Sequence, residues 1–184
     1  MANNLRNKGK NLIEFPKNFT VIDIETTGLS SINNEIIELS AIKVENNKIV
    51  NQFSSLVKPK SKINRFITSL TGITNEMVQN QPDIVEVLPS FINFVSEDCL
   101  LGHNVNFDIN FIYDNLKKHF NKEFNNNYVD TMRLAKKYCK FPSHSLAYLA
   151  EKFEISTKGH HRALNDCVMT LKIYEEIKKI HISE

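Results

Sequence analysis

The sequence is short of cysteine, of long apolar runs and of net charge, and each shortage excludes a class of protein. Its three cysteines are an odd number without paired short spacing, which argues against a disulfide framework or a cysteine-based zinc site and favours the reducing cytoplasm. No apolar run is long enough to span a bilayer, and the first residues lack the apolar stretch of a secretory signal, so we expect no membrane partner. A net charge of +2 is too small to indicate a nucleic-acid partner by itself.

The length and composition are those of one globular domain. The 184 residues are enough to build a proper core, and 41% apolar with 24% charged residues is an ordinary balance. Residues 1–17 are rich in asparagine and carry four basic side chains, so we expect a mobile or loosely packed basic N-terminal arm. Residues 18–181 are expected to form a single domain, because no repeat or linker divides them.

Apolar alternation predicts five strands, of which the first three have short connections and form an antiparallel meander. They lie at 19–25, 36–45, 48–57, 100–103 and 128–129. Helical patterns alternate with the later strands. Pro89 is expected to end one turn and begin a fresh helix, because proline lacks the amide hydrogen that a helix interior uses. The whole pattern predicts an α/β fold, with a mixed five-stranded sheet and helices on both faces.

The first strand combines β-branched residues with two carboxylates. Asp23 and Glu25 point to one face of the strand, while Ile22 and Ile24 point to the other. Burying unpaired carboxylates is costly, and no lysine or arginine occurs between residues 20 and 43 to neutralise them. A divalent metal ion is the natural partner. The alternative is a partly solvated strand end with two ordinary surface acids.

Two later carboxylates belong with this pair. Asp108 lies at the junction of a strand with a helix, and Asp166 lies in the first turn of the last helix. Such positions can converge in space, and a group of carboxylate oxygens selects Mg²⁺ or Mn²⁺. His161 can serve the same site only if it lies in the loop before the helix, where it would suit proton transfer near neutral pH. The alternative for His161 is a solvated histidine beside a helix N-terminus.

Three motifs resemble those of the DEDDh class of 3′→5′ exonucleases, most closely the proofreading exonucleases of bacterial DNA polymerase III in their epsilon and PolC-type forms. The motifs are Asp23-x-Glu25-Thr26-Thr27-Gly28, His103-Asn104-x-x-Phe107-Asp108 and His161-x-Ala163-x-x-Asp166. The segment 70–74, Leu-Thr-Gly-Ile-Thr, also matches the family's connecting pattern. Together the matches span residues 20–177 and occur in the family's order.

The resemblance implies a ribonuclease H-like fold and a two-metal mechanism. Asp23, Glu25, Asp108 and Asp166 would hold two Mg²⁺ or Mn²⁺ ions, and His161 would act as general base. The substrate would be the 3′ end of single-stranded DNA, and the products would be nucleoside 5′-monophosphates.

The resemblance also implies where the substrate lies. Gly28 has no Cβ to obstruct the terminal nucleotide. Leu29 and Phe107 are candidates for apolar contacts to bases, which tolerate any sequence, although both suit a core equally. His103 and Asn104 either touch substrate, position Asp108 or are satisfied by the backbone. The full set of candidate substrate-binding residues is Thr26, Thr27, Gly28, Leu29, His103, Asn104 and Phe107.

Other polar residues have simpler interpretations. Asp130 directly precedes a predicted helix and is expected to cap it. His144 and His160 are expected to be solvated.

Three alternatives stay open from the sequence. An RNA-trimming exoribonuclease or oligoribonuclease is possible, because relatives with the same four acids act on RNA. A non-catalytic nucleic-acid-binding module is a further reading, against which the retention of all four acids and the histidine argues. The chain ends at Glu184 without the C-terminal extension by which some proofreading subunits hold their polymerase, so a polymerase partner, a free-standing nuclease and an excised domain are all compatible.

Overall fold

The computed structural model describes residues 6–183. The strands are β1 (Asn11–Leu12), β2 (Phe19–Thr26), β3 (Ile36–Glu45), β4 (Lys48–Leu56), β5 (Leu100–Gly102) and β6 (Tyr128–Asp130). The helices are α1 (Arg65–Thr71), α2 (Asn75–Val78), α3 (Ile84–Val95), α4 (Asn106–Phe120), α5 (Thr131–Tyr138), α6 (Leu146–Lys152) and α7 (Ala163–Ser183).

The strands form one mixed sheet in the order β1-β6-β5-β2-β3-β4. The predicted meander is confirmed, since β2, β3 and β4 pair antiparallel. The remaining neighbours pair parallel. The sheet has six strands, not the predicted five, because Asn11 and Leu12 pair with Tyr128 and Val129 at the edge. A strand of two residues shows no alternation from which a sequence pattern can be read.

The segment expected to be a mobile arm packs against the domain over residues 6–17. The guanidinium of Arg6 binds the carboxylate of Asp114 in α4 at 2.6 Å. Phe15 packs against the ring of Tyr174, whose hydroxyl donates to the carbonyl of Pro16 at 2.7 Å. This packing differs from the expectation. The first five residues of the predicted arm lie outside the described residues.

Helices cover both faces of the sheet, as predicted. Ile22 and Ile24 of β2 pack into a core with α3 and α4. On the opposite face Val21 and Leu101 pack into a second core with α5, α6 and α7. Because side chains alternate along a strand, Asp23 and Glu25 share the face of Val21 and point towards α7. The fold therefore brings both acids of β2 towards the helix that carries Asp166.

Helix α3 continues through Pro89, where a break was expected. Asp83 caps its first turn, and the Glu86 side chain accepts from the amide of Asp83 to complete a capping box. The helix also buries Leu88 and Phe91 completely. This burial and the cap outweigh the one hydrogen bond that proline cannot donate. Among residues 6–183, no helix combines the length and the apolar character needed to cross a bilayer.

Candidate active site

Acidic side chains from three separate segments meet at one end of the sheet. Asp23 and Glu25 come from β2, and Asp166 comes from the first turn of α7. One carboxylate oxygen of each lies within 4.8 Å of the other two. Asp108, in the first turn of α4, accepts a hydrogen bond at 3.0 Å from the amide of Ile24, the residue between the two β2 acids. We call these four side chains the carboxylate cluster.

Two acids of the carboxylate cluster, Asp108 and Asp166, are buried, the two of β2 are half-buried, and the four repel one another when ionised. Burial, together with the negative charges of Asp166, Glu38 and Asp108, raises the pKa of Glu25 to about 8. Burial also raises the pKa of Asp108 to about 8. The pKa of Asp23 lies well above its ordinary range, because its carboxylate is desolvated and has the other acids around it. Several oxygen donors that repel one another when ionised fit a hard divalent cation.

We predict that the metal-free protein loses stability as the pH rises. The folded-state pKa of about 8 for Glu25 and Asp108 exceeds the value of roughly 4 expected in the unfolded chain. The stability gained from their protonation is complete below about pH 4 and is lost as the pH rises through about 8. In EDTA, Tm from thermal unfolding should therefore fall between about pH 5 and about pH 8.

Added Mg²⁺ should raise Tm most at the upper end of this range, where the carboxylates must otherwise ionise together. The variant Glu25→Gln is the matched control, because it lacks one of the titrating groups and should show a flatter decline. A Tm in EDTA that rises over the same range would contradict these pKa directions.

A fifth buried acid, Glu38, lies beside the carboxylate cluster and was missed by the sequence analysis. Glu38 of β3 faces Glu25 in the sheet register and is 2% exposed. Its carboxylate pairs with the guanidinium of Arg162, with Nη2 and Oε1 2.8 Å apart, and accepts from the amide of Ala163 at 3.0 Å. In the sequence Glu38 has the pattern of an ordinary strand residue, and its partner is far away along the chain. The ion pair fixes the start of α7 to the sheet.

Removing Arg162 should therefore destabilise the fold. Arg162→Ala leaves the Glu38 carboxylate buried without its cation, which costs about 3 kcal/mol of the free energy of unfolding. Urea unfolding measures the change. The double variant Arg162→Ala/Glu38→Gln removes the stranded charge and should recover part of the loss. A single variant with the urea midpoint of the parent would show that the pair does not stabilise the fold.

The two adjacent histidines, His160 and His161, lie in the loop before α7. This is the position that His161 needs in order to serve the carboxylate cluster. His161 has a left-handed backbone, with φ 65°, and its amide donates to Asp166 at 3.2 Å. Burial and the neighbouring His160 lower the pKa of His161, while Asp166 opposes them. Its imidazole is therefore mainly neutral at pH 7 and able to accept a proton.

The expectation that His160 is solvated is wrong. Its Nδ1 lies 2.8 Å from Asp166 Oδ1, and its ring stacks on His161 with centroids 3.8 Å apart. The sequence could not indicate which of two adjacent histidines turns towards the acid, because the backbone turn at positions 159–161 decides it. His144 is also half-buried, with Nε2 3.2 Å from the carbonyl of Cys139.

Four of the seven candidate substrate contacts lie at the end of β2 and in the loop that follows it. Leu29 is 89% exposed, which excludes the core alternative for this side chain. Thr26 Oγ1 donates to the Gly28 carbonyl at 2.7 Å, and Thr27 Oγ1 accepts from a backbone amide of the same loop. A Cβ at Gly28 would come within 2.7 Å of the Asn34 side chain. A larger residue at position 28 would therefore displace the Asn34 side chain, whose Oδ1 accepts from the amide of Ser30.

The candidates around the second motif are tied to the protein. His103 Nδ1 lies 2.9 Å from Thr131 Oγ1, and burial lowers the pKa of His103 to about 4, so its ring is neutral at pH 7. The amide of Asn104 donates to Asp130, which also caps α5 as predicted. Phe107 is half-buried and packs on a neighbouring ring of α4, 4.9 Å between centroids. These contacts favour a role in shaping the strand-to-helix turn that presents Asp108.

The chain is similar to known exonucleases in sequence. The model of the RNase T exonuclease family matches residues 20–174. Over 169 residues the chain is 44% identical to the DNA polymerase III PolC-type of Caldanaerobacter subterraneus subsp. tengcongensis, covering 89% of this chain and 12% of that protein. Over 162 residues it is 43% identical to the DNA polymerase III subunit epsilon of Aquifex aeolicus, covering 86% of this chain and 79% of the relative.

The fold is similar as well. A solved structure of exonuclease X in complex with 5′ overhanging duplex DNA superposes with a TM-score of 0.70 at 29% identity, covering 88% of this chain and 91% of that one. The architecture is therefore the ribonuclease H-like fold of exonucleases. The chain spans 12% of the length of the PolC-type relatives, so the activities and assemblies of those whole proteins do not transfer to it directly.

Proposed function

Because the chain belongs to the RNase T family of exonucleases, as the three motifs indicated, we propose that it removes nucleotides from the 3′ end of single-stranded DNA. The products are nucleoside 5′-monophosphates, and the reaction depends on Mg²⁺ or Mn²⁺. The observation that carries the proposal is the carboxylate cluster, in which three acids lie within reach of one cation and the fourth is held beside them. The exonuclease unit is assigned to residues 18–181.

Asp23, Glu25, Asp108 and Asp166 are the residues that would hold two divalent ions. When bound, these ions neutralise the carboxylates, activate water as a nucleophile and stabilise charge on the departing 3′ oxygen. The protein's own contribution is to hold the oxygen donors in place before substrate arrives. The amide of Ile24 fixes Asp108, and the amide of His161 fixes Asp166. Such preorganisation lowers the cost of gathering the donors during the reaction.

His161 is the proposed general base. It is half-buried at the edge of the carboxylate cluster, and its lowered pKa keeps the ring neutral and ready to accept the proton of the attacking water. His160 holds Asp166 from the other side. The two histidines therefore have separate proposed roles, His161 in proton transfer and His160 in positioning an acid.

DNA is the favoured substrate, and a replicative polymerase is a possible partner. The solved exonuclease X structure is a complex with 5′ overhanging duplex DNA, and two relatives that are 44% and 43% identical to this chain are DNA polymerase III proteins. The exposed Leu29 offers an apolar contact to a base, and contacts of that kind tolerate any sequence. Association with a replicative polymerase corresponds to a proofreading role, and a free-standing nuclease corresponds to a repair role.

One comparison tests polarity, sugar preference and metal dependence together. Oligonucleotides of DNA and RNA, labelled at the 3′ or the 5′ end, are incubated with Mg²⁺, Mn²⁺ or EDTA. The expected result is immediate release of a labelled mononucleotide from 3′-labelled DNA and a descending ladder from 5′-labelled DNA, with neither in EDTA. Faster trimming of RNA would favour the exoribonuclease alternative, and cleavage of no substrate would favour the binding module.

A further inference from the structure

A groove with basic walls opens between the loop before β3, the loop after β4 and the C-terminal half of α4. Its volume is about 630 Å³. Lys58 and Lys60 line it from the loop after β4, Lys118 lines it from α4, and Arg6 closes one side. Side chains from distant parts of the sequence thus place positive charge around one cavity.

The two carboxylates in this groove already have partners. Asp114 binds the guanidinium of Arg6, with Nη2 and Oδ2 2.6 Å apart. The Glu35 carboxylate accepts from the amides of Lys60 and Ser61, each at 2.9 Å. Arg6 therefore neutralises Asp114, while Glu35 keeps its charge but directs its oxygens at backbone amides. Three lysines then face one unneutralised carboxylate, so positive charge prevails in the groove.

The three lysines lack such partners. Within residues 6–183, no ion pair involves Lys58, Lys60 or Lys118. The charges of Lys118 and Lys60 reach His119 in the same groove, where they and burial lower its pKa. Basic side chains that converge without carboxylate partners attract phosphate groups.

A stripe of residues four apart leads along α4 from the groove to the N-terminal end of the helix, where the first turn carries Asp108. Each step of four residues turns about 40° further round the helix axis. At the N-terminal end of this stripe, the ammonium of Lys8 binds the side-chain oxygens of Asn106 and Asn110, the latter at 2.8 Å. Further along lie Asp114 and Lys118, both of which line the groove. The rise along the helix axis from Asn106 to Lys118 is about 18 Å.

We propose that Lys8 and the groove lysines form a basic track that binds the sugar–phosphate backbone of a single strand whose 3′ end lies in the carboxylate cluster. This inference rests on the proposed function. A track of this length contacts several phosphates upstream of the terminal nucleotide. It therefore favours long substrates over short ones through affinity, and it leaves the chemical step to the carboxylate cluster.

The triple variant Lys58→Ala/Lys60→Ala/Lys118→Ala tests the track. Fluorescence anisotropy with a single strand of about 20 nucleotides, in Ca²⁺, should show binding weakened roughly tenfold. The slope of log Kd against log salt should decrease by about 2, since each phosphate contact on a single strand contributes about 0.7. The p-nitrophenyl ester of thymidine 5′-monophosphate has no upstream phosphates, so the triple variant should hydrolyse it at the rate of the parent.

A matched triple variant, Lys140→Ala/Lys152→Ala/Lys172→Ala, removes the same charge from exposed positions outside the groove and should bind like the parent. The same affinity for DNA in the two triple variants would overturn the track. So would a fall in the rate of ester hydrolysis by the groove variant as large as its fall in DNA affinity. If the groove variant weakens DNA binding but the parent cleaves no oligonucleotide, the track stands and the proposed nuclease function fails. The two failures are therefore distinguishable.

Discussion

Asp23→Asn should reduce Mg²⁺-dependent release of nucleotides by at least about 10³-fold. Asp23 lies in the carboxylate cluster, where burial and then the charges of the surrounding acids raise its pKa. The amide has nearly the same shape, so the core around it is preserved, but it carries no negative charge to hold a divalent ion. Initial rates on 5′-labelled single-stranded DNA measure the loss.

The same substitution should stabilise the metal-free protein, because it removes one of several repelling buried carboxylates. Tm in EDTA at about pH 8 should therefore rise while activity disappears. Glu45→Gln is the matched control, an acid at the exposed far end of β3, and it should change neither quantity. Parental activity in Asp23→Asn would contradict the assignment of the site.

His161→Ala should slow turnover by roughly 10²- to 10⁴-fold, the usual scale for a lost general base. Affinity for Mn²⁺, measured by calorimetry, should survive, because the four carboxylates remain. The lowered pKa of His161 also predicts that the acidic limb of the parent's pH–rate profile lies below the ordinary histidine value, and this limb should disappear in the variant.

His160→Ala distinguishes the proposed roles of the two histidines. His160 binds Asp166 directly, so its loss should weaken Mn²⁺ affinity and leave the acidic limb in place. His144→Ala, at a half-buried position elsewhere, serves as the control for histidine removal. A larger loss of turnover in His160→Ala than in His161→Ala, with the acidic limb gone, would reverse the proposed roles.

The sequence predicted the elements that carry strong local signals. Strand β2 was predictable from its β-branched residues, and the facing of Asp23 and Glu25 followed from the period of two. Asp130 was recognisable as a cap because it directly precedes α5. Helix geometry set the condition for His161. Five residues along one helix would have turned it away from Asp166, so it could share the site only from the loop before α7.

What the sequence did not predict depends on contacts between distant segments. Strand β1 exists only because Asn11 and Leu12 meet β6. Glu38 and Arg162 form their ion pair across 124 positions of sequence, and nothing near either residue indicates the other. Pro89 is tolerated within α3 because tertiary burial and a good cap outweigh a local penalty. In each case packing decides what local propensity leaves open.

The most direct test of the central claim is a crystal soaked with Mn²⁺ and thymidine 5′-monophosphate, with diffraction recorded at the manganese absorption edge. Anomalous peaks are expected within about 2.3 Å of carboxylate oxygens of Asp23, Glu25, Asp108 and Asp166. Bound nucleotide with no anomalous peak among these oxygens, or manganese held elsewhere, would contradict the central claim.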